Sequence, residues 1–123
     1  MYNILIVDDD SAIHFVYKEL FGKIKEYNLI LTKNGLEAMD KMASNKIDLI
    51  ITDIKMPGMH GIELIQQVRK IDQNMPIIVC TAFQYMKNDY ELVNANLAAY
   101  VTKPFKNDQF KELVRNILSR KIL

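Results

Sequence analysis

The sequence predicts an α/β fold: a doubly wound, five-stranded parallel sheet with helices on both faces. Three observations carry this. Short apolar runs alternate along the chain with stretches whose apolar residues recur at helical spacing, five times over. The runs Leu49–Ile51 and Ile77–Cys80 are apolar at every position, as in central strands covered on both sides. Several runs end in a polar or charged residue, which places chemistry at one edge of the sheet.

Each element has its own signal. Tyr2–Val7 is the first strand, ended by Asp8, Asp9 and Asp10. Asp10 or Ser11 caps the first helix, whose core face is Ile13, Val16, Tyr17, Leu20 and Ile24. Leu29–Thr32 is the second strand. Asn34-Gly35 turns the chain into a helix with the stripe Leu36, Met39, Met42 and Ala43. The third strand, from Leu49, runs into Asp53 and breaks at Pro57, Gly58 and Gly61. Ile62, Ile65, Val68 and Ile71 mark the third helix. After Met75-Pro76, the fourth strand Ile77–Cys80 ends at Thr81. The fourth helix is expected over Asn88–Ala95, with Leu92 and Val93 inward. Ala98–Val101 is the fifth strand, ending near Lys103-Pro104. Asn107 or Asp108 caps a last helix carrying Phe110, Leu113, Val114, Ile117 and Leu118.

Composition bounds the function. The 123 residues suit one domain, 1–123, large enough for a real core. A net charge of +1 argues against nucleic acid as the main partner. Cys80 is the only cysteine, so no internal disulfide forms, and its apolar setting suits a small core residue. No apolar stretch approaches the roughly 20 residues that span a bilayer. The Ile4–Val7 run is too short for a signal peptide and is followed by three aspartates. A reducing cytoplasm is the expected compartment, with no membrane partner.

In the flavodoxin-like strand order 2-1-3-4-5, ligands bind at the carboxyl ends of the strands. That order gathers Asp8 and Asp9, Asp53, Thr81 and Lys103. Three carboxylates and one ammonium leave two negative charges. Two carboxylates about 4 Å apart repel by roughly 4 kcal/mol at an effective dielectric of about 20. A divalent cation balances this, and all-oxygen ligands favour Mg²⁺. Thr81 can donate a hydrogen bond to an oxyanion, and Lys103 can supply a point charge. A carboxylate beside such groups is an arrangement for phosphoryl transfer.

The chain resembles the receiver domains of two-component response regulators, in particular single-domain regulators of the chemotaxis and sporulation phosphorelay kind. The matching segments are Ile4–Asp9, Asp53–Met59, Thr81-Ala82 and Tyr100–Phe105, in the family's order and spacing. The resemblance implies that Asp53 accepts a phosphoryl group from a phosphohistidine on a histidine kinase or histidine phosphotransferase. It implies that Mg²⁺, or Mn²⁺ in its place, is held by Asp9, Asp53 and the Lys55 backbone carbonyl, with Asp8 acting largely through water. Thr81 and Lys103 would bind the phosphoryl oxygens, and Ala82 would leave room for them. Thr81 and Tyr100 would form the switch, and Lys103-Pro104 would be cis. The downstream protein target would meet the face built by the fourth helix, fifth strand and fifth helix.

Departures from the family pattern matter too. His60 stands where Asp is usual before Gly61 and is a poorer N-cap, so the third helix is expected to start less firmly, and His60 to be a plain solvated loop residue rather than a metal ligand. Asn96 replaces the usual Gly, and Asn tolerates the left-handed conformation after a helix. Lys55 and Phe83 flank the site and modulate it, Phe83 by excluding the water that hydrolyses the acyl phosphate. His14 is expected to be exposed. Phe15 lies off its helix's core stripe, close to the site, where an exposed ring could dock a partner helix.

Three other readings compete. In a haloacid dehalogenase-like phosphatase, Asp8 would be the nucleophile and Asp10 the acid/base, but a later acidic motif is missing. A flavodoxin would need a hydroxyl-rich phosphate loop after the first strand, where this chain has three aspartates. A receiver acting only by contact would not need the acidic, hydroxyl and lysine positions all filled. The chain is therefore read as a signalling switch and not a turnover enzyme on small molecules.

Overall fold

The computed structural model of the protein describes residues 1–56, 59–82 and 90–120, the side chains of Tyr90 and Glu91 excepted. In chain order the elements are β1 (Tyr2–Val7), α1 (Ser11–Phe21), β2 (Tyr27–Thr32), α2 (Gly35–Ser44), β3 (Leu49–Thr52), α3 (Gly61–Ile71), β4 (Ile77–Thr81), α4 (Tyr90–Val93), β5 (Ala99–Thr102) and α5 (Asn107–Arg120). The strands make one parallel sheet in the order β2-β1-β3-β4-β5. This is the order expected of the flavodoxin-like class.

The period of two along each strand divides the core into two layers. Leu5, Val7, Ile50, Ile77 and Val79 face one side, with Ala38 of α2, Leu64, Ile65 and Val68 of α3, and Leu92 of α4. Ile4, Ile6, Leu49, Ile51, Ile78 and Cys80 face the other, with Tyr17, Leu20 and Phe21 of α1 and Phe110, Val114, Ile117 and Leu118 of α5. Each such aliphatic side chain contributes roughly 1.5–3 kcal/mol on burial. Tyr17, Phe21, Phe105 and Phe110 add a cluster of ring contacts under the second layer. Cys80 is fully buried against Tyr17, and burial pushes its thiol up to about 11.

Several sequence expectations shift by a residue or a turn. Strand β2 starts at Tyr27, two residues early, because Tyr27 and Asn28 pair with Tyr2 and Asn3. The polar Asn28 hid this, yet its amide donates to Asn3 Oδ1 at 3.0 Å across the ladder. Helix α1 ends at Phe21, so Ile24 packs from beyond it. In α2 the inward stripe is Gly35, Ala38, Met39 and Met42; Leu36 and Ala43 are exposed. In α3 Leu64 takes a core place and Ile71, at the helix end, is exposed. Val93 faces outward while Leu92 is buried; Asn88 lies outside the described residues. Strand β5 is Ala99–Thr102, one residue later than expected. Neither Asn107 nor Asp108 caps α5: both lie within its first turn, and the Lys106 carbonyl accepts the Phe110 N–H.

Candidate phosphoryl-transfer site

The sheet register builds the site. Val7 lies opposite Thr52, Thr52 opposite Val79, and Thr81 opposite Thr102, so β1 and β3 end level with each other, and β4 and β5 end together two residues further on. The ladder continues one bond past the strand ends. Asp8 N–H donates to Thr32 O at 3.1 Å, Asp53 N–H to Val7 O at 2.9 Å, and Lys103 N–H to Thr81 O at 2.8 Å. Three of the expected site residues therefore leave the sheet with their backbones held by neighbouring strands.

Their side chains then converge. The Lys103 ammonium donates to Asp8 Oδ2 at 2.7 Å and to Asp53 Oδ2 at 2.9 Å. The second oxygen of each carboxylate is fixed by main chain: Asp8 Oδ1 accepts the Asp10 N–H at 2.9 Å, and Asp53 Oδ1 accepts the Ile54 N–H at 2.6 Å. Asp8 is 2 % exposed and Asp53 13 %, so Asp53 is the carboxylate a reactant can reach. Burial raises the Asp8 carboxyl above its ordinary value, against the pull of Lys103. Burial alone would lower Lys103, but its hydrogen bonds to Asp8 and Asp53 outweigh this and hold the ammonium above its ordinary range.

The rest of the expected set lies at or near the same strand ends in the chain. Thr81 is fully buried at the end of β4, Ala82 is exposed, and Lys55 is exposed at the rim. Tyr100 is half-buried, opposite Val79, and packs against the layer that contains α3. Asp9 is exposed and takes no part in the Asp8–Lys103–Asp53 bonds. The Lys103-Pro104 bond is cis, and Asn96 has φ 56°, the left-handed conformation expected of it. Phe83, Pro57 and Gly58 lie outside the described residues. Asp10 plays a structural part, since its carboxylate caps α1 by accepting the Ala12 N–H at 2.9 Å.

The donor set suits a hard cation. Among the described residues no three His, Cys, Asp or Glu side chains are placed to hold a metal by themselves. Ligation would draw on Asp53, Asp9, the Lys55 carbonyl and water, the sparse carboxylate set that Mg²⁺ uses.

Some residues that shape the site carried little sequence signal. Gly61 looked like a loop breaker, but it is a close-approach position. A Cβ there would lie 2.1 Å from Asp53 O and 2.7 Å from Ile54 Cα, and its N–H donates to Ile54 O at 2.7 Å. Only glycine lets α3 start against the backbone of the candidate acceptor. His60 is half-buried and not a plain solvated residue; its Nδ1 caps α3 by accepting the Ile62 N–H at a long 3.4 Å. His14 is likewise half-buried, with Nε2 3.1 Å from Thr32 O, the carbonyl that also receives Asp8 N–H. Phe15 is 62 % exposed, off the core stripe as read from the sequence.

This fold and this edge cluster define a receiver domain, and residues 4–115 match the response regulator receiver domain family. The chain belongs to that family, whose members are signalling domains of two-component and phosphorelay systems. It is 34 % identical to sporulation initiation phosphotransferase F of Bacillus subtilis, over 96 % of this chain and 94 % of that protein. It is 32 % identical to the chemotaxis protein CheY of Thermotoga maritima, over 93 % and 95 %. Other relatives are longer: the chain spans 50 % of the response regulator MprA of a Mycobacterium species, at 31 % identity. Among solved structures it resembles the response regulator TrrA of Thermotoga maritima in complex with Mg²⁺-BeF. The TM-score there is 0.86 at 36 % identity, covering 95 % of this chain and 99 % of that one. No helix among the described residues is long and apolar enough to cross a membrane.

Proposed function

We propose that residues 1–123 act as one receiver domain, a cytoplasmic phosphoacceptor switch in which Asp53 takes a phosphoryl group from the phosphohistidine of a histidine kinase or histidine phosphotransferase. The observation that carries this reading is the Lys103 ammonium shared at 2.7 and 2.9 Å by a buried Asp8 and an accessible Asp53. An oxygen of Asp53 forms the new P–O bond while the P–N bond breaks, and the imidazole nitrogen leaves with the electron pair. Mg²⁺, held by Asp9, Asp53 and the Lys55 carbonyl with Asp8 beyond a water, would neutralise phosphoryl charge during transfer. Lys103 passes from a carboxylate oxygen to a phosphoryl oxygen, and its high pKa keeps it charged throughout.

The acyl phosphate carries roughly two negative charges where Asp53 carried one. Donors are drawn to it, chiefly Lys103 and the Thr81 hydroxyl. Charge-assisted hydrogen bonds of about 1.5–3 kcal/mol each suffice to shift a two-state equilibrium tenfold or more. Thr81 moves toward the phosphoryl group, Tyr100 turns inward behind it, and the surface of α4, β5 and α5 changes its affinity for a protein target. The decisive experiment is incubation with a small phosphodonor and Mg²⁺, followed by peptide mass spectrometry. One phosphoryl group on Asp53, lost with chelator and in Asp53→Asn, is the expected result. Phosphorylation elsewhere, or none, overturns the reading.

A further inference from the structure

Helix α3 is tied at both ends to parts of the molecule that the switch must connect. Its first residue, Gly61, is pressed against the main chain of Asp53 and Ile54, with no room for a methyl group and a 2.7 Å hydrogen bond to Ile54 O. Near its other end stands Arg69, a half-buried guanidinium that donates to four main-chain carbonyls. Nε donates to Ala95 O at 2.7 Å and Nη2 to Asn96 O at 3.1 Å, both in the turn between α4 and β5. Nη1 donates to Met75 O at 2.8 Å, ahead of β4, and to Asp72 O at 3.1 Å, the C-cap of α3. One cation thus serves the carboxyl ends of two helices, where the dipole favours positive charge. Burial pulls its pKa below the usual guanidinium range, opposed by the charge of Asp72.

The turn that Arg69 grips sets where β5 begins. Asn96 holds the left-handed conformation, and two residues on the Ala98 N–H donates to Ile77 O at 2.8 Å. Tyr100 follows, opposite Val79.

We propose that α3 is a strut which carries a displacement of the Asp53–Ile54 backbone to the α4–β5 turn, with Arg69 as the coupling joint, in parallel with the path through Thr81. This rests on the reading of Asp53 as phosphoacceptor. The reasoning is mechanical. Gly61 has no slack against Asp53, so backbone movement there must be followed by the helix start. An eleven-residue helix is a stiff rod about 16 Å long. The planar guanidinium fork fixes direction as well as distance, which an ammonium does not. The Ala95 and Asn96 carbonyls move with it, and the left-handed residue is the pivot.

The test is amide NMR of the full chain with and without Mg²⁺ and acetyl phosphate, with intact mass measured on the same samples. Arg69→Lys keeps the charge and loses the fork; Arg69→Met loses both. In wild type, phosphorylation is expected to shift the Leu97 and Ala98 amides. In Arg69→Lys those shifts should fall by about threefold or more, while the added mass and the Thr81 and Lys103 shifts are retained. Undiminished Leu97 and Ala98 shifts in a folded variant overturn the strut. So does their absence in phosphorylated wild type, an arm that needs no variant to fold. If wild type gains no phosphoryl mass, the phosphoacceptor reading itself has failed and the strut falls with it.

Discussion

At the scale of single residues, Lys103 decides how the site is held. Replacing it with Met leaves Asp8 and Asp53 without their shared cation. Removing one partner of a buried ion pair costs about 3–5 kcal/mol. The loss should be largest at neutral pH and smaller in acid, where protonation of Asp8 relieves the repulsion; urea midpoints at pH 7 and pH 4 read the difference. Asp8 has a signature of its own. Its folded pKa lies above the ordinary value of 3.8, so the folded state holds the proton more tightly than the unfolded chain. Its contribution to stability is greatest in acid, falls as pH rises from 3.8 through the folded value, and is flat beyond. Asp8→Asn should remove that descent from the stability–pH curve. Lys103 acts at the alkaline end: its raised pKa gives stability below 10.5 that is lost as pH rises through the folded value. The residues of the triad were legible as types at strand ends. Which carboxylate would be buried was not, because Asp8 and Asp9 are neighbours in sequence and the β1 register alone sends one inward.

Among the elements, α3 depends most on what precedes it. Gly61→Ala would drive a methyl group into backbone atoms that cannot rotate away. Overpacking of this kind costs about 1–3 kcal/mol. Because the clash is with Asp53, phosphorylation by a small donor should slow in the same variant beyond what lost stability explains; chemical denaturation and initial rates measured together separate the two. His60→Asp should act in the opposite sense. Its carboxylate is a better N-cap than a 3.4 Å contact to an imidazole, a change of about 0.5–1 kcal/mol, visible as a higher urea midpoint. The elements themselves were readable because apolar periodicity and turn residues agree along the chain. Their phase was less so. In α2 and α3, apolar residues stand beside the true stripe, so Leu36 and Ile71 fit a helical spacing as well as Ala38 and Leu64 do. Gly35 shows why the α2 phase is what it is: Met59 lies where its Cβ would be, so the helix start is set by a contact across the fold.

For the whole molecule, the parallel sheet turns four separate strand ends into one acidic edge, and this sets its response to cations. Mg²⁺ at a hundred times its dissociation constant should stabilise the fold by about 2.7 kcal/mol. Asp53→Asn should lose most of that gain, as thermal melts with and without Mg²⁺ would show. The long-range bonds around Arg69 had no sequence signal, since main-chain carbonyls leave no trace in side-chain patterns. The alternation of runs and helices implied a parallel sheet with right-handed crossovers, which leaves few arrangements; the particular order 2-1-3-4-5 came from the flavodoxin-like class and not from the alternation itself.

Cys80 gives the molecule a built-in clock. It is the only thiol, fully buried on β4 next to Thr81, and at about 11 its pKa leaves little thiolate near neutrality. A thiol reagent reaches it when β4 opens to solvent, where the thiol returns to its ordinary acidity. The labelling rate of the unmodified protein therefore times the opening of the strand that carries the Thr81 hydroxyl. Anything that tightens the edge of the sheet above it should slow that clock, with no tag or engineered probe required.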